Sequence, residues 1–145
     1  MTAIEVPETR LAAARLRLAL TRLTRTLRRE SHTNLTASQV SALATVEEFG
    51  PLRISALATY EAMDPSVATR VVASLETLSL VTRTSDPEDK RASLVSLSDV
   101  GRRELNALWS ERTLELDARL ARLSAHERGE LEDALPVLER LSRDE

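Results

Sequence analysis

The sequence has no cysteine, which excludes a disulfide framework, a thiol nucleophile, a thiol redox sensor and any thiolate metal site. Aromatic residues are 2% of the chain, so Leu, Val and Ala must build its core. Glycine (3) and proline (5) are sparse among 145 residues, which suits a helix-rich globular protein rather than a disordered one. That length accommodates one cored domain and not two ordinary ones. No run reaches the ~18 apolar residues of a membrane span, and Glu5 and Glu8 precede any apolar stretch. A cytoplasmic location without membrane contact is therefore the expectation.

Excess basic charge is lacking too, since the formal net charge is -3. Its distribution is uneven. Positions 10–34 hold seven Arg against Glu30 alone, whereas positions 104–145 hold eleven acids against six Arg, and 52–103 hold seven of each sign. Any affinity for a polyanion must then come from placement of individual cations rather than from bulk charge.

Helical periodicity is what the sequence does have. Leu16, Leu20, Leu23 and Leu27 share one stripe of a first helix, expected over 8–29, with Arg15, Arg22, Arg25 and Arg29 on the other side. Thr36-Ala-Ser-Gln39 is a capping box that opens a second helix ending near Gly50-Pro51. Leu52-Arg53-Ile54 reads as a stub of strand, and Ser55 as the cap of a short third helix through Tyr60. In Asp64-Pro65 the aspartate suits the N-cap and the proline the first helical position, where a missing amide hydrogen costs nothing.

The fourth helix, from Pro65, divides into an apolar face of Val67, Ala68, Val71, Leu75 and Leu78 and an opposite face of Ser66, Thr69, Arg70, Ala73 and Thr77. Short polar side chains with one Arg are unusual on a merely solvated helix. From Val81 the period becomes two, is interrupted by Asp86-Pro-Glu-Asp-Lys-Arg91 and resumes at Leu94, the pattern of a hairpin with a charged tip. Ser98-Asp99 caps a fifth helix carrying Leu105, Leu108, Leu116, Leu120 and Leu123. Ser124-Ala-His-Glu127 opens a sixth with Leu131, Leu135, Leu138 and Leu141, in which Pro136 is expected to cause a kink costing roughly 3 kcal/mol.

Two helices joined by a tight turn and followed at once by a hairpin is the order of a winged helix-turn-helix. Asp64-Pro-Ser-Val-Ala-Thr-Arg-Val-Val-Ala-Ser-Leu-Glu76, Leu80-Val-Thr-Arg83, Asp86-Pro-Glu-Asp-Lys-Arg91 and Leu97-Ser-Asp-Val-Gly101 together resemble the signature of the MarR (multiple antibiotic resistance regulator) family. The resemblance implies a mainly α fold of about six helices with a small antiparallel β-wing. It also implies a DNA-binding lobe at 36–101 and dimerisation helices at 8–34 and 104–145. The implied function is a homodimeric regulator of transcription, a repressor on a near-palindromic duplex that a small aromatic or anionic ligand relieves.

Carried onto this chain, the resemblance puts the helix from Pro65 in the major groove. Ser66 and Thr69 would approach phosphates and Arg70 a guanine edge or a phosphate, while Arg91 enters the adjacent minor groove. Asp86 or Asp89 would hold Arg91, with Lys90 beside it. Arg53, Arg83 and Ser38 are candidates for backbone contact, against an equal expectation of a solvated surface role. Arg22, Arg25 and Trp109 are candidates for an effector pocket, although a lone Trp on a Leu-rich helix is more often core. Ser79 stands where these proteins commonly have glycine in a left-handed conformation, which costs about 1 kcal/mol and leaves the wing's angle open.

Competing readings are a winged protein-interaction module without sequence-specific DNA binding, and an enzyme. The sequence offers no Gly-rich phosphate loop and no nucleophile beside a base, and His32 and His126 lack the spacing of a metal site. No catalysis, cofactor or metal is expected.

Overall fold

The computed structural model describes residues 8–143 and consists, among them, of six helices and a three-stranded antiparallel sheet. In chain order these are α1 (Glu8–Glu30), α2 (Ala37–Phe49), β1 (Leu52–Arg53), α3 (Ile54–Tyr60), α4 (Pro65–Thr77), β2 (Val81–Ser85), β3 (Ser93–Leu97), α5 (Asp99–Leu120) and α6 (Ala125–Leu141). The chain divides into two units: His32–Ser110, and the helical segments before and after it.

The first unit is the winged lobe. Its core joins Val40, Leu43 and Val46 of α2, Leu57 of α3, Val72 and Leu75 of α4, Val81 and Val95 of the sheet, and Leu105 and Leu108 of α5. Trp109 is partly buried and packs against this cluster, as expected of a lone Trp in a leucine-rich setting. The sheet order is β1-β3-β2, so β3 is central, with Leu52 opposite Val95 on one side and Arg83 opposite Val95 on the other.

Helix starts follow local chemistry closely. The Thr36 hydroxyl accepts from the Gln39 amide at 3.2 Å while the Thr36 amide donates to the Gln39 side chain at 2.8 Å, and Ser124 and Glu127 repeat the arrangement. Ser98 accepts from the Gly101 amide at 2.9 Å, closing the first turn of α5. Two expected starts differ in detail. α3 begins at Ile54, two residues earlier than a Ser55 cap implies, with Arg53 and not Ser55 at its cap. Asp64 does occupy the N-cap of α4 but makes no side-chain capping bond.

The apolar faces also need correction. Val72 is fully buried in α4, whereas Leu78, assigned to the buried face, is its C-cap and 48% exposed. Leu123 lies beyond the end of α5, in the turn before α6. α6 runs from Ala125 to Leu141 with Pro136 inside it.

Both helices of the helix-turn-helix end by one device. After α3 the Met63 amide bonds Ala58 O at 3.0 Å and the Ala62 amide bonds Thr59 O at 3.2 Å; after α4 Leu80 bonds Leu75 O and Ser79 bonds Glu76 O, both at 2.9 Å. This Schellman pairing requires a left-handed residue, and Ala62 (φ 49°) and Ser79 (φ 60°) supply it without being glycine. Ser79 therefore takes the backbone conformation that glycine usually provides, and α4 still closes onto the wing. Ser79→Gly and Ala62→Gly should each raise the denaturant midpoint, by an amount worth about 1 kcal/mol. An unchanged or lower midpoint would show that neither residue is strained.

The second unit is different in kind. α1 and α6 contain no buried residue, and they expose Leu11, Leu16, Leu18, Leu20, Leu23, Leu131, Leu135, Val137 and Leu141. Arg119 grips both carboxylate oxygens of Glu30 at 2.7 and 2.8 Å and lies 3.0 Å from Glu115. The Arg119 guanidinium holds the Glu30 carboxyl below the usual range.

Candidate nucleic-acid interface

α4 is held by its inner face, through Ala68, Val72 and Leu75, and by a polar strut in which the Gln39 amide donates to the Ser74 hydroxyl at 3.0 Å. Its outer face is then fixed by the helical period. Ser66, Thr69, Arg70, Ala73 and Thr77 are all exposed, as is Pro65 at the helix start. The structure thus brings together the residues expected to face DNA from this helix. One expectation about them changes: the Thr69 hydroxyl donates to Pro65 O at 2.9 Å, and Thr77 to Ala73 O at 3.0 Å. These protons are turned into the helix rather than outward.

The wing is the β2–β3 hairpin, in register from Val81 opposite Leu97 to Ser85 opposite Ser93. Beyond that last pair, its acids build the tip. Asp86 Oδ1 accepts from the Glu88 amide at 2.9 Å, and Asp89 Oδ1 accepts from the Arg91 amide at 3.0 Å. Two such Asx turns replace the ladder that the hairpin can no longer provide. Asp86 and Asp89 thus have oxygens engaged within the wing, whereas Glu88 is exposed.

Arg91 projects from this tip with its side chain 94% exposed, its Nε 3.5 Å from Asp89 Oδ1. Of the two acids expected to steady it, Asp89 is the one beside it; Asp86 is engaged elsewhere. Lys90 is exposed next to it.

Asp86 is only 5% exposed and takes both Nε and a terminal nitrogen of Arg53, each at 2.6 Å from Oδ2. Arg53, a candidate for backbone contact or for a solvated surface role, is therefore in an ion pair with the first residue of the wing tip. Arg83 is likewise paired, its Nε 3.0 Å from Glu76 Oε2 on α4. Sequence reading missed both pairs because the partners are distant in the chain or in different elements. The signal for the first was recoverable: Arg53 and Thr84 both stand opposite Leu94, so Asp86, two residues further on, continues their face of the sheet.

The amide of Glu88 and then the Arg53 guanidinium hold the Asp86 carboxyl below the usual carboxylate range. A depressed pKa gives stability that is present above that range and is lost as pH falls through the lowered value. Asp86 should thus stay ionised across neutral and mildly acidic pH. A carboxyl-carbon NMR titration should find its midpoint below those of solvated aspartates; a midpoint at or above them would contradict the geometry.

Ser38 is exposed in the first turn of α2. Arg22 and Arg25 are exposed on α1, where Arg25 borders a shallow concavity with Leu20, Thr21, Thr24 and Arg28. Among the described residues no group of three or more His, Asp or Glu is placed to hold a metal ion, and no helix is long and apolar enough to cross a membrane.

Comparison with known proteins agrees with this geometry. The MarR family model matches residues 35–93, the span from the end of the α1–α2 connection to the second wing strand. An uncharacterised HTH-type transcriptional regulator of Mycobacterium bovis is 39% identical over 127 residues, 87% of this chain and 89% of the relative. The crystal structure of a transcriptional regulator of Pseudomonas aeruginosa is 34% identical, covers 97% of this chain and 99% of its own, and superposes with a TM-score of 0.83. The PcaV transcriptional regulator of Streptomyces coelicolor, solved with its natural ligand, is 25% identical with a TM-score of 0.58, covering 99% of this chain and 100% of its own. Similarity over nearly whole chains, joined to an outward-facing α4 and a wing ending in Arg91, makes this chain a member of the MarR family of DNA-binding transcriptional regulators.

Proposed function

We propose that the protein is a homodimeric repressor that works in the cytoplasm on a near-palindromic duplex. α4 of each copy would lie in the major groove and Arg91 of each wing in the flanking minor groove. The observation that carries the dimer is that α1 and α6 bury no residue within the chain yet present rows of leucine and valine. Contiguous apolar surface of this kind marks an association site, and a second copy of the same helices is self-complementary to it. Two copies then set two recognition helices about one DNA turn apart, ~34–36 Å.

The charge balance supports reading by placement. A chain of net charge -3 has no bulk attraction for DNA, so binding depends on Arg70 and Arg91 and falls steeply with salt. A small anionic effector, received by Arg22 and Arg25 of α1, would relieve repression by favouring a dimer whose recognition helices are wrongly spaced. The ligand-bound PcaV structure supports an effector in a protein of this fold. The protein is not proposed to catalyse any reaction.

Selection of duplexes from a random-sequence pool tests the whole reading. Enrichment of a near-palindrome with half-sites one turn apart, bound by a species of twice the chain mass in sedimentation, is the expected result. Retention of no duplex at low salt, or enrichment of a single asymmetric half-site by a monomer, would overturn it.

A further inference from the structure

We propose that Arg53 and Asp86 form a latch that aims the wing, so that an acidic residue of the DNA-binding lobe promotes DNA binding. The inference rests on the reading in which the wing touches the duplex. Arg53 belongs to β1, the strand at one edge of the sheet, and Asp86 follows the last residue of β2 at the other edge. The side chain reaches across β3 to join them, gripping one carboxylate oxygen with two nitrogens at 2.6 Å each.

The place of the latch matters more than its strength. Cross-strand pairing of the wing ends at Ser85 opposite Ser93, so residues 86–92 lie beyond the ladder. At the base of that tip the Asp86 amide still bonds Ala92 O across the hairpin at 3.1 Å, and the Ala92 amide bonds Asp89 O at 2.9 Å, but neither bond reaches an element outside the hairpin. The Arg53 grip ties the first tip residue to a strand outside the hairpin. Arg91, five residues on and almost wholly exposed, is aimed by that attachment. Asp86 serves the latch through both oxygens, one on Arg53 and one on the Glu88 amide. Arg53 is therefore a positioning residue, and Asp86 with it.

Asp86 makes the proposal easy to test, because bulk electrostatics and the latch predict opposite signs. Removing an acid near phosphate should tighten binding if charge alone matters. Asp86→Asn keeps the shape and the acceptor for Glu88 but loses the charged grip on Arg53. Binding would be titrated at fixed salt on two duplexes, one with A·T flanks long enough for the wings and one trimmed to the segment read by α4. On the long duplex Asp86→Asn and Arg53→Met should each weaken binding about tenfold, and the double variant no more than the worse single one. On the trimmed duplex all should equal the parent.

Equal or tighter binding of the long duplex by Asp86→Asn, with Arg91→Ala weakened there, overturns the latch and leaves the wing reading intact. A silent Arg91→Ala overturns both. Should Asp86→Asn fail to fold, Arg53→Lys carries the same test. It keeps the charge that a phosphate contact needs and loses the two-nitrogen grip, so parent-like affinity on the long duplex refutes the latch and a flank-dependent loss supports it.

Discussion

Replacing Gly101 by alanine should unfold the lobe at markedly lower temperature, with a loss of about 3 kcal/mol or more of stability. A Cβ on Gly101 would stand 2.0 Å from Leu80 O and 2.9 Å from the Leu80 carbonyl carbon, both backbone atoms that cannot swing aside. The Leu80 carbonyl is also engaged, accepting from the Ser98 amide at 3.0 Å. α5 therefore starts in direct contact with the chain that leaves α4, and only a hydrogen fits between them. To accommodate a methyl group the first turn of α5 must lift from the base of the wing, breaking the Ser98 cap and separating Leu105 from the core it shares with Leu80. Thermal unfolding followed by circular dichroism checks this; a midpoint within a degree or two of the parent would show that the contact relaxes at little cost. Gly129, where nothing lies within 4 Å of an added Cβ, is the control, and Gly129→Ala should be neutral or stabilising in the second turn of α6.

Arg70→Ala should produce the largest single loss of DNA affinity. One contact of this type is worth about 1–3 kcal/mol, and a dimer that uses it twice would lose about 2–6 kcal/mol. The pattern of loss identifies the contact. If Arg70 pairs with a guanine edge, discrimination at one position of each half-site disappears; if it pairs with phosphate, all duplexes weaken alike and the salt dependence becomes shallower by about one unit per contact. Thr69→Ala is the informative companion. Its hydroxyl proton is donated to Pro65 O, so removal should weaken binding far less than removal of Arg70. An equal loss would mean that Thr69 turns outward on DNA, and parent-like affinity of Arg70→Ala would remove α4 from the reading head.

The sequence announces this architecture wherever the signal is local. Thr36 with Gln39, Ser124 with Glu127, and Asp64 followed by Pro65 mark helix starts because the groups involved are within four residues of one another. The outward row from Ser66 to Thr77 was legible for the same reason, since the helical period alone decides which side chains point away from Ala68 and Leu75. What escaped depends on contacts between elements. The Arg53–Asp86 pair spans 33 residues and needs the β1–β3–β2 order to be seen. Arg83 read equally as a backbone contact or a solvated cation, and its partner Glu76 emerges only with the end of α4 placed near β2. Leu78 looked buried because the period was extended one residue past the helix, where the chain turns at Ser79 and the face is lost. The same turn shows how serine serves at a position where glycine is common: Ser79 is left-handed and its turn carries two backbone bonds.

The uncovered leucines of α1 and α6 have a consequence for gene control. On the dimer reading, each operator is filled by a pair whose own formation depends on abundance. Where the chain is scarce enough for pairs to separate, occupancy then rises as the square of its concentration rather than in proportion to it. A twofold change in expression would move repression about fourfold in that range. The apolar rows that make the helices look unfinished in a single copy would thus sharpen the response to dosage.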